Sequence, residues 1–268
     1  MPKPLHPILK AILFCIAFTG LYVLIYFLKS SVIPAFSQRI HAGIGIAVAL
    51  LVTALFLRMD KRRFRDIGLY WEGRTLSRFV LGIVIGVGLM GAITAAVILF
   101  SGFKIVWNPD SNLLKFLWGS LPLLPLAYME ELAFRAYPLE TIKKQTGIRN
   151  TILLTALLFG AYHLANGWTL QNAFLGAGVW GIIFGLAAIV SGGIALPTGL
   201  HYAVNMTTSA FGISSGSYHL WVLQSGDGQS LANYQSSQLE TLLPQIALLL
   251  VGVGAMEWYI RRKPIIHS

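Results

Sequence analysis

The sequence predicts an all-α fold: a polytopic membrane bundle of about eight transmembrane helices, forming one integral membrane domain across residues 1–268. Three observations carry that expectation. Hydrophobic residues make up 56% of the chain and charged residues 11%, with a mean hydropathy of +0.69, a composition foreign to soluble domains of this size. The apolar residues fall in runs of roughly 17–25, the length that crosses a bilayer's hydrocarbon core. Lys and Arg collect in particular connections, as they do in cytoplasmic loops. The net charge of +10 is therefore read as orientation, and no nucleic-acid partner is expected.

Taken in order, the spans are expected near 8–28, 41–57, 79–100, 113–139, 151–165, 174–190, 194–212 and 241–260. The first is long enough to cross and is not followed by a small-residue cleavage site, so it reads as a span and not as a cleaved signal peptide. It holds Cys15, the single cysteine, which allows no internal disulfide. After the second span, Arg58, Lys61, Arg62, Arg63, Arg65, Arg74 and Arg78 form the main basic segment. Together with Lys3, Lys10, Lys143, Lys144, Arg149, Arg261, Arg262 and Lys263 they place fifteen cations on one side, against Lys29, Arg39, Lys104 and Lys115 on the other. Both termini are then cytoplasmic. The Arg58–Arg65 run also suits anionic lipid headgroups, but a topology signal accounts for it more simply.

Tyr70 and Trp71 mark Asp66–Gly73 as a segment lying along the membrane surface. Gly82, Gly86, Gly88 and Gly91 in the third span, and Gly181 and Gly185 in the sixth, have the small-residue spacing of close helix approach. Pro122 and Pro125 predict a bend early in the fourth span, and Pro138 another bend or the segment's end. The loop Ile213–Glu240, rich in Ser, Gly, Gln and Asn, is either a lid or a solvated linker.

The fourth span carries Glu130, Glu131 and Arg135 inside an apolar run. An ionised side chain at the bilayer centre costs roughly 3 kcal/mol or more, so such residues mark function by default. Four-residue spacing puts Glu131 and Arg135 on one helix face, where they can neutralise each other, while Glu130 points about 100° away. A purely structural ion-pair cluster is the competing explanation. What moves the balance lies further on: His163 in the fifth span, and His201 with Asn205 one turn later in the seventh.

Peptide hydrolysis requires an activated water and donors for the oxyanion. Glu130 suits the general base, His163 can hold and polarise the water, and His201 with Asn205 can stabilise the oxyanion. This assignment predicts a cavity where the fourth, fifth and seventh spans meet. Singly, each signal is weak, because a membrane His or Asn more often serves packing. Tyr162 and Asn166 are expected only to support His163, and His6, His41, His219 and His267 to be solvated at span ends, tails or a loop.

In this order on successive apolar segments, Glu130-Glu131-x-x-x-Arg135, Phe159-x-x-x-His163 and His201-x-x-x-Asn205 resemble the signature of the type II CAAX prenyl endopeptidases, the ABI or CPBP family of intramembrane proteases. The resemblance implies a catalytic core over 113–212, an eight-helix fold with a water-accessible intramembrane cavity, and a peptidase. It further implies that Glu130 activates water, that His163, His201 and Asn205 complete the site, and that Glu131 and Arg135 support it. The expected partners are the lipid bilayer and a peptide or protein substrate at the membrane, lipidated or not. Compact size and short loops look like a prokaryotic member in the cell inner membrane, where the family appears in peptide or bacteriocin maturation and in immunity.

Zinc is a possible cofactor, with His163 and His201 as its ligands, but the His-Glu-x-x-His spacing is absent and Asn205 is a poor ligand. A glutamate base with histidine and asparagine donors uses each group once, so metal-independent hydrolysis is the expectation. The alternative function is a non-catalytic membrane scaffold or bacteriocin-immunity protein with the same fold. A transporter would also place charges near the midplane, but the halves of the chain show no inverted repeat.

Overall fold

The computed structural model describes residues 5–32, 38–213, 219–226, 228, 230 and 238–262. Lys3, Lys263, His267 and part of the Ile213–Glu240 loop lie outside the described residues. The described chain is mostly helical, with two short strands.

Helix α1 (Pro7–Val32) shows how a largely apolar segment still acquires an inside. Phe14, Phe18 and Tyr22 recur at four-residue spacing and are buried, while Ile16, Leu24 and Phe27 are exposed, as lipid-facing side chains are. The buried face forms an aromatic ladder: Phe14 stacks on Tyr137, Phe18 meets Phe134 edge-on, and both Phe18 and Tyr22 reach Tyr162. Helix α2 (Gln38–Met59) follows, ending at Asp60, whose carboxylate accepts from Lys10 and, at 2.8 Å, from the Tyr137 hydroxyl. A 3-10 turn at Phe64–Ile67 buries Ile67 and leaves Tyr70 and Trp71 exposed.

Helix α3 (Thr75–Ser101) packs on α8 (Ala195–Ala210) through backbone contact. A Cβ at Gly82 would lie 2.2 Å from the Leu196 carbonyl oxygen, and one at Gly199 would lie 2.0 Å from that of Phe79. Gly86 faces Leu200 and Ala203, so the two helices run parallel. Gly88 and Gly91 have nothing within 4 Å, so only half of the α3 glycine pattern is a packing surface.

After α3, strand β1 (Lys104–Trp107) pairs antiparallel with β2 (Trp221–Gln224), with Trp107 opposite Trp221. This ribbon joins the connection after α3 to the connection after α8. It therefore holds Lys104 and Trp221–Gln224 at the same end of the molecule.

Helix α4 (Leu113–Ser120), capped by the Asn112 side chain accepting from the Lys115 amide, ends just before Pro122. Helix α5 (Leu123–Glu131) then passes into a π-helical turn at Leu132–Ala136 and on into α6 (Tyr137–Ala165). Pro138 neither ends the segment nor breaks it. Proline clashes with the carbonyl four residues back and lacks an N–H, and the wider π turn just ahead of it absorbs both. The break falls instead at Gly147, whose φ of 72° and ψ of 173° no β-carbon favours. A second π-helical stretch, Asn172–Gly178, leads into α7 (Val179–Ser191), and α9 (Gln238–Arg262) closes the described chain.

Among the described residues, six helical stretches are long and apolar enough to cross a membrane: Pro7–Leu28, His41–Met59, Thr75–Ser101, Leu113–Ala165, Asn172–Ser191 and Leu242–Arg262. The difference from eight has two sources. The expected fourth and fifth spans form one 53-residue stretch bent at Gly147, and α8, at 16 residues, is short for a full crossing.

Candidate active site

Three helices bring the candidate residues together. Glu130 and Glu131 end α5, Arg135 sits in the π turn that follows, His163 lies near the end of α6, and His201 and Asn205 lie on α8. Glu131 and Arg135 have fully buried side chains, His201 is 7% exposed, and Glu130 is 15% exposed. The adjacent glutamates thus differ in surroundings, Glu131 sealed in the protein and Glu130 partly exposed.

The buried glutamate has two partners. Its Oε1 accepts from His201 Nδ1 at 2.8 Å, and its Oε2 lies 3.4 Å from Arg135 Nε, an ion pair without hydrogen-bond alignment. Four-residue spacing pairs Glu131 with Arg135; the structure adds His201 as its hydrogen-bond partner, seventy residues away. Arg135 is held on its other sides by the Gly181 carbonyl, 3.4 Å from Nη2, and by the Phe159 ring, whose centroid is 4.2 Å from its Cζ. Gly181 lets α7 come this close: a Cβ there would sit 3.0 Å from Ala156 Cα. Phe184 of α7, which no sequence pattern singled out, stacks on the His201 ring at 4.4 Å and also lies beside the Arg135 guanidinium. A phenylalanine in an apolar run carries no mark that distinguishes a ring against a catalytic candidate from one against lipid.

These contacts fix the imidazole. With Nδ1 bonded to Glu131, His201 presents Nε2 toward Glu130, whose Oε2 is 3.6 Å away, beyond direct hydrogen-bond length. His163 donates from Nδ1 to the Phe159 carbonyl at 2.9 Å, which leaves Nε2 as an acceptor when the ring is neutral. The two histidines flank the Phe159 ring, at 4.6 Å and 6.0 Å between centroids, and Trp168 covers His163. Asn205 is half-buried one turn beyond His201. Among the described residues its side chain makes no hydrogen bond, so its amide is available to a ligand.

Tyr162 is more than a neighbour of His163. It is buried against Phe134 and Phe159, and its ring also meets Phe18 and Tyr22 of α1. His41, expected to be solvated, is half-buried instead, with Nε2 2.5 Å from the Tyr22 hydroxyl. The residue sits at the start of the second apolar run, but α1 packs alongside and supplies a buried phenol.

Among the described residues no three His, Cys, Asp or Glu side chains are grouped closely enough to hold a metal ion. His163 and His201, each anchored through Nδ1, are the rings whose Nε2 atoms would face one.

A cavity of about 830 Å³ opens nearby, framed by Ile46 and Leu50 of α2, the 68–72 loop, the start of α3 and the first turn of α8. Tyr128 and Thr198 line it. They lie two and three residues from Glu130 and His201, which are not among its lining residues; nor are His163 and Asn205. The space is therefore displaced from the expected meeting of the fourth, fifth and seventh spans, toward α2 and α3.

What fold and site define is a polytopic helical membrane protein with a buried Glu–Arg–His cluster and a partly open glutamate beside it. Residues 111–207 match the family described as type II CAAX prenyl endopeptidase Rce1-like. All six candidate residues, Glu130, Glu131, Arg135, His163, His201 and Asn205, fall within the matched segment. No curated protein matches the chain.

Proposed function

We propose that the protein is an intramembrane endopeptidase of the CAAX-protease type, hydrolysing a peptide bond in a peptide or protein substrate at the membrane. The observation that carries this is the division of labour between adjacent carboxylates. Glu131 is sealed against His201 and Arg135, while Glu130 is partly open and 3.6 Å from His201 Nε2, close enough for a reacting group seated beside the pair to touch both.

In the proposed reaction Glu130 takes a proton from water as the water oxygen bonds to the scissile carbonyl carbon. The carbonyl π pair moves to oxygen. His201, carrying both ring protons and anchored through Nδ1 to Glu131, donates from Nε2 to that oxyanion, and the Asn205 amide supplies a second donor. His163 Nε2 accepts a hydrogen bond from the water's other O–H, which stays on the tetrahedral intermediate, and so orients the attack. Glu130 then passes its proton to the amide nitrogen as the C–N bond breaks. Every group is used once, and no step is routed through a metal.

The topology proposed with this function has eight crossings, Leu113–Ala165 making two and α8 a short one, with both termini cytoplasmic. In a prokaryotic inner membrane the role would be maturation of a peptide or bacteriocin, or immunity. Purified protein assayed against lipidated and unlipidated peptides, beside Glu130→Ala, tests the function. Cleavage that disappears in the variant supports it. Cleavage unchanged in the variant removes Glu130 from the mechanism, and a partner-binding phenotype that survives the substitution without any cleavage favours the scaffold.

A further inference from the structure

The cavity of about 830 Å³ lies beside the candidate site without containing it: Glu130, His163, His201 and Asn205 are not among its lining residues. Its volume falls in the range of pockets that enclose a whole small molecule, about 300–1,000 Å³. The wall is mostly apolar, with Ile46 and Leu50 from α2, Phe79 from α3, and Leu124 and Pro125 at the start of α5. Leu50 and Leu76, which also line it, are 38% and 60% exposed, so the apolar wall runs out onto the lipid-facing surface.

Charge is confined to one end of this space. Among the described residues Glu72 and Arg78 are the two charged side chains that line it. Arg78 Nη1 donates to Glu72, and the other N–H groups of that guanidinium have no partner among the described residues. Arg74, between them in sequence, is exposed and has no side-chain partner among the described residues. Tyr70 and Trp71 line the same end, both exposed, with the Arg65 guanidinium 5.5 Å from the Tyr70 ring centroid. An apolar chamber capped by arginines and by aromatic rings of the kind that sit at headgroup level has the polarity of a phospholipid, chain below and phosphate above.

We propose that this cavity binds one acyl chain of an anionic phospholipid, whose phosphate lies against Arg74 and Arg78. The bound lipid is a component of the bilayer and takes no part in the reaction. It touches the elements that do, because Tyr128 and Thr198, in its wall, lie within one turn of Glu130 on α5 and of His201 on α8. The loop over the cavity rests directly on the turn into α8: a Cβ at Gly68 would lie 2.9 Å from the Gly192 carbonyl oxygen. A seated chain fills the space between that loop, α5 and α8, and braces the two helices that carry the candidate base and donor.

The test is native mass spectrometry of the full chain released from detergent after incubation with equal amounts of phosphatidylglycerol and phosphatidylcholine bearing identical chains. About one phosphatidylglycerol per protein should be retained, favoured over phosphatidylcholine roughly 25-fold, and Arg74→Gln and Arg78→Gln should each lower that preference roughly 5-fold. Ala195→Phe and Leu50→Trp fill the cavity from opposite walls and should each cut retention of both lipids at least roughly 10-fold. Equal retention of the two lipids, or a preference unchanged by the arginine substitutions, overturns the proposal. Retention unchanged in both cavity-filled variants means adhesion to the basic surface only, and also overturns it. Displacement of phosphatidylglycerol by a neutral lipidated peptide would give the cavity to a substrate's chain instead. None of these readouts involves cleavage, so the lipid site stands or falls separately from the peptidase assignment.

Discussion

Glu130 and Glu131 share a peptide bond and lie in different surroundings. Glu131 is sealed between His201 and Arg135, backed by Phe159 and Phe184, whereas Glu130 is 15% exposed and faces His201 across 3.6 Å. The difference arises from helix geometry. Consecutive residues diverge by about 100°, so at the edge of a packed bundle one side chain can enter the core while its neighbour meets an opening. A charge pair in the core is costly to break, and a carboxylate beside an opening is free to react. Substituting on the sealed side should therefore cost stability, and substituting on the open side should cost turnover.

The largest effect is expected on the sealed side. Arg135→Ala takes the guanidinium away from the buried Glu131 carboxylate, leaving it only the His201 bond, and empties the space over Phe159; it should lower stability by about 3–5 kcal/mol, read by thermal unfolding in detergent. A variant that stays as stable as wild type while losing activity would move Arg135 to the reactive side. Asn205→Ala probes the open side. It removes a half-buried amide that has no partner among the described residues, so the fold should persist while kcat falls roughly 100- to 1000-fold.

The same logic extends to the α3 glycines, where packed and open faces sit on one helix. Gly199→Ala puts a methyl 2.0 Å from the Phe79 carbonyl oxygen and should destabilise the α3–α8 contact by about 1–3 kcal/mol. Gly88→Ala, with nothing within 4 Å, should change stability by no more than about 0.5 kcal/mol. Equal effects at both positions would show that the backbone contact between α3 and α8 is not maintained in solution.

Features that depend on composition over many residues were legible in the sequence. The runs 8–28, 41–57, 79–100, 174–190 and 241–260 each fall within a helix, because a span needs only length and apolarity. Glu130, Glu131, Arg135 and His201 stood out because charge is conspicuous in an apolar run, and the structure places them in contact or nearly so. Local hydrogen-bond register and distant pairings were not legible. The π turn at Leu132–Ala136 carries no hydropathy signature, and it let the helix pass Pro138, where a stop was one of two expected outcomes. Strands β1 and β2 pair across more than a hundred residues, from segments too short to show alternation. The bond from Glu131 to His201 joins α5 to α8, which i, i+4 spacing cannot anticipate. Phe184 and Tyr22 look like any other aromatic residues of a span until their neighbours are known.

The most direct measurement sets the two glutamates against each other. Glu130→Gln and Glu131→Gln are purified in parallel, and each is measured for its unfolding temperature and for cleavage of a peptide that the wild type cuts. Glu130→Gln should unfold with the wild type and cleave at least roughly 100-fold more slowly, while Glu131→Gln should unfold at a lower temperature, because a neutral amide faces Arg135 in the core. Wild-type cleavage by Glu130→Gln, or undiminished stability in Glu131→Gln, would contradict the division between a reactive and a structural carboxylate.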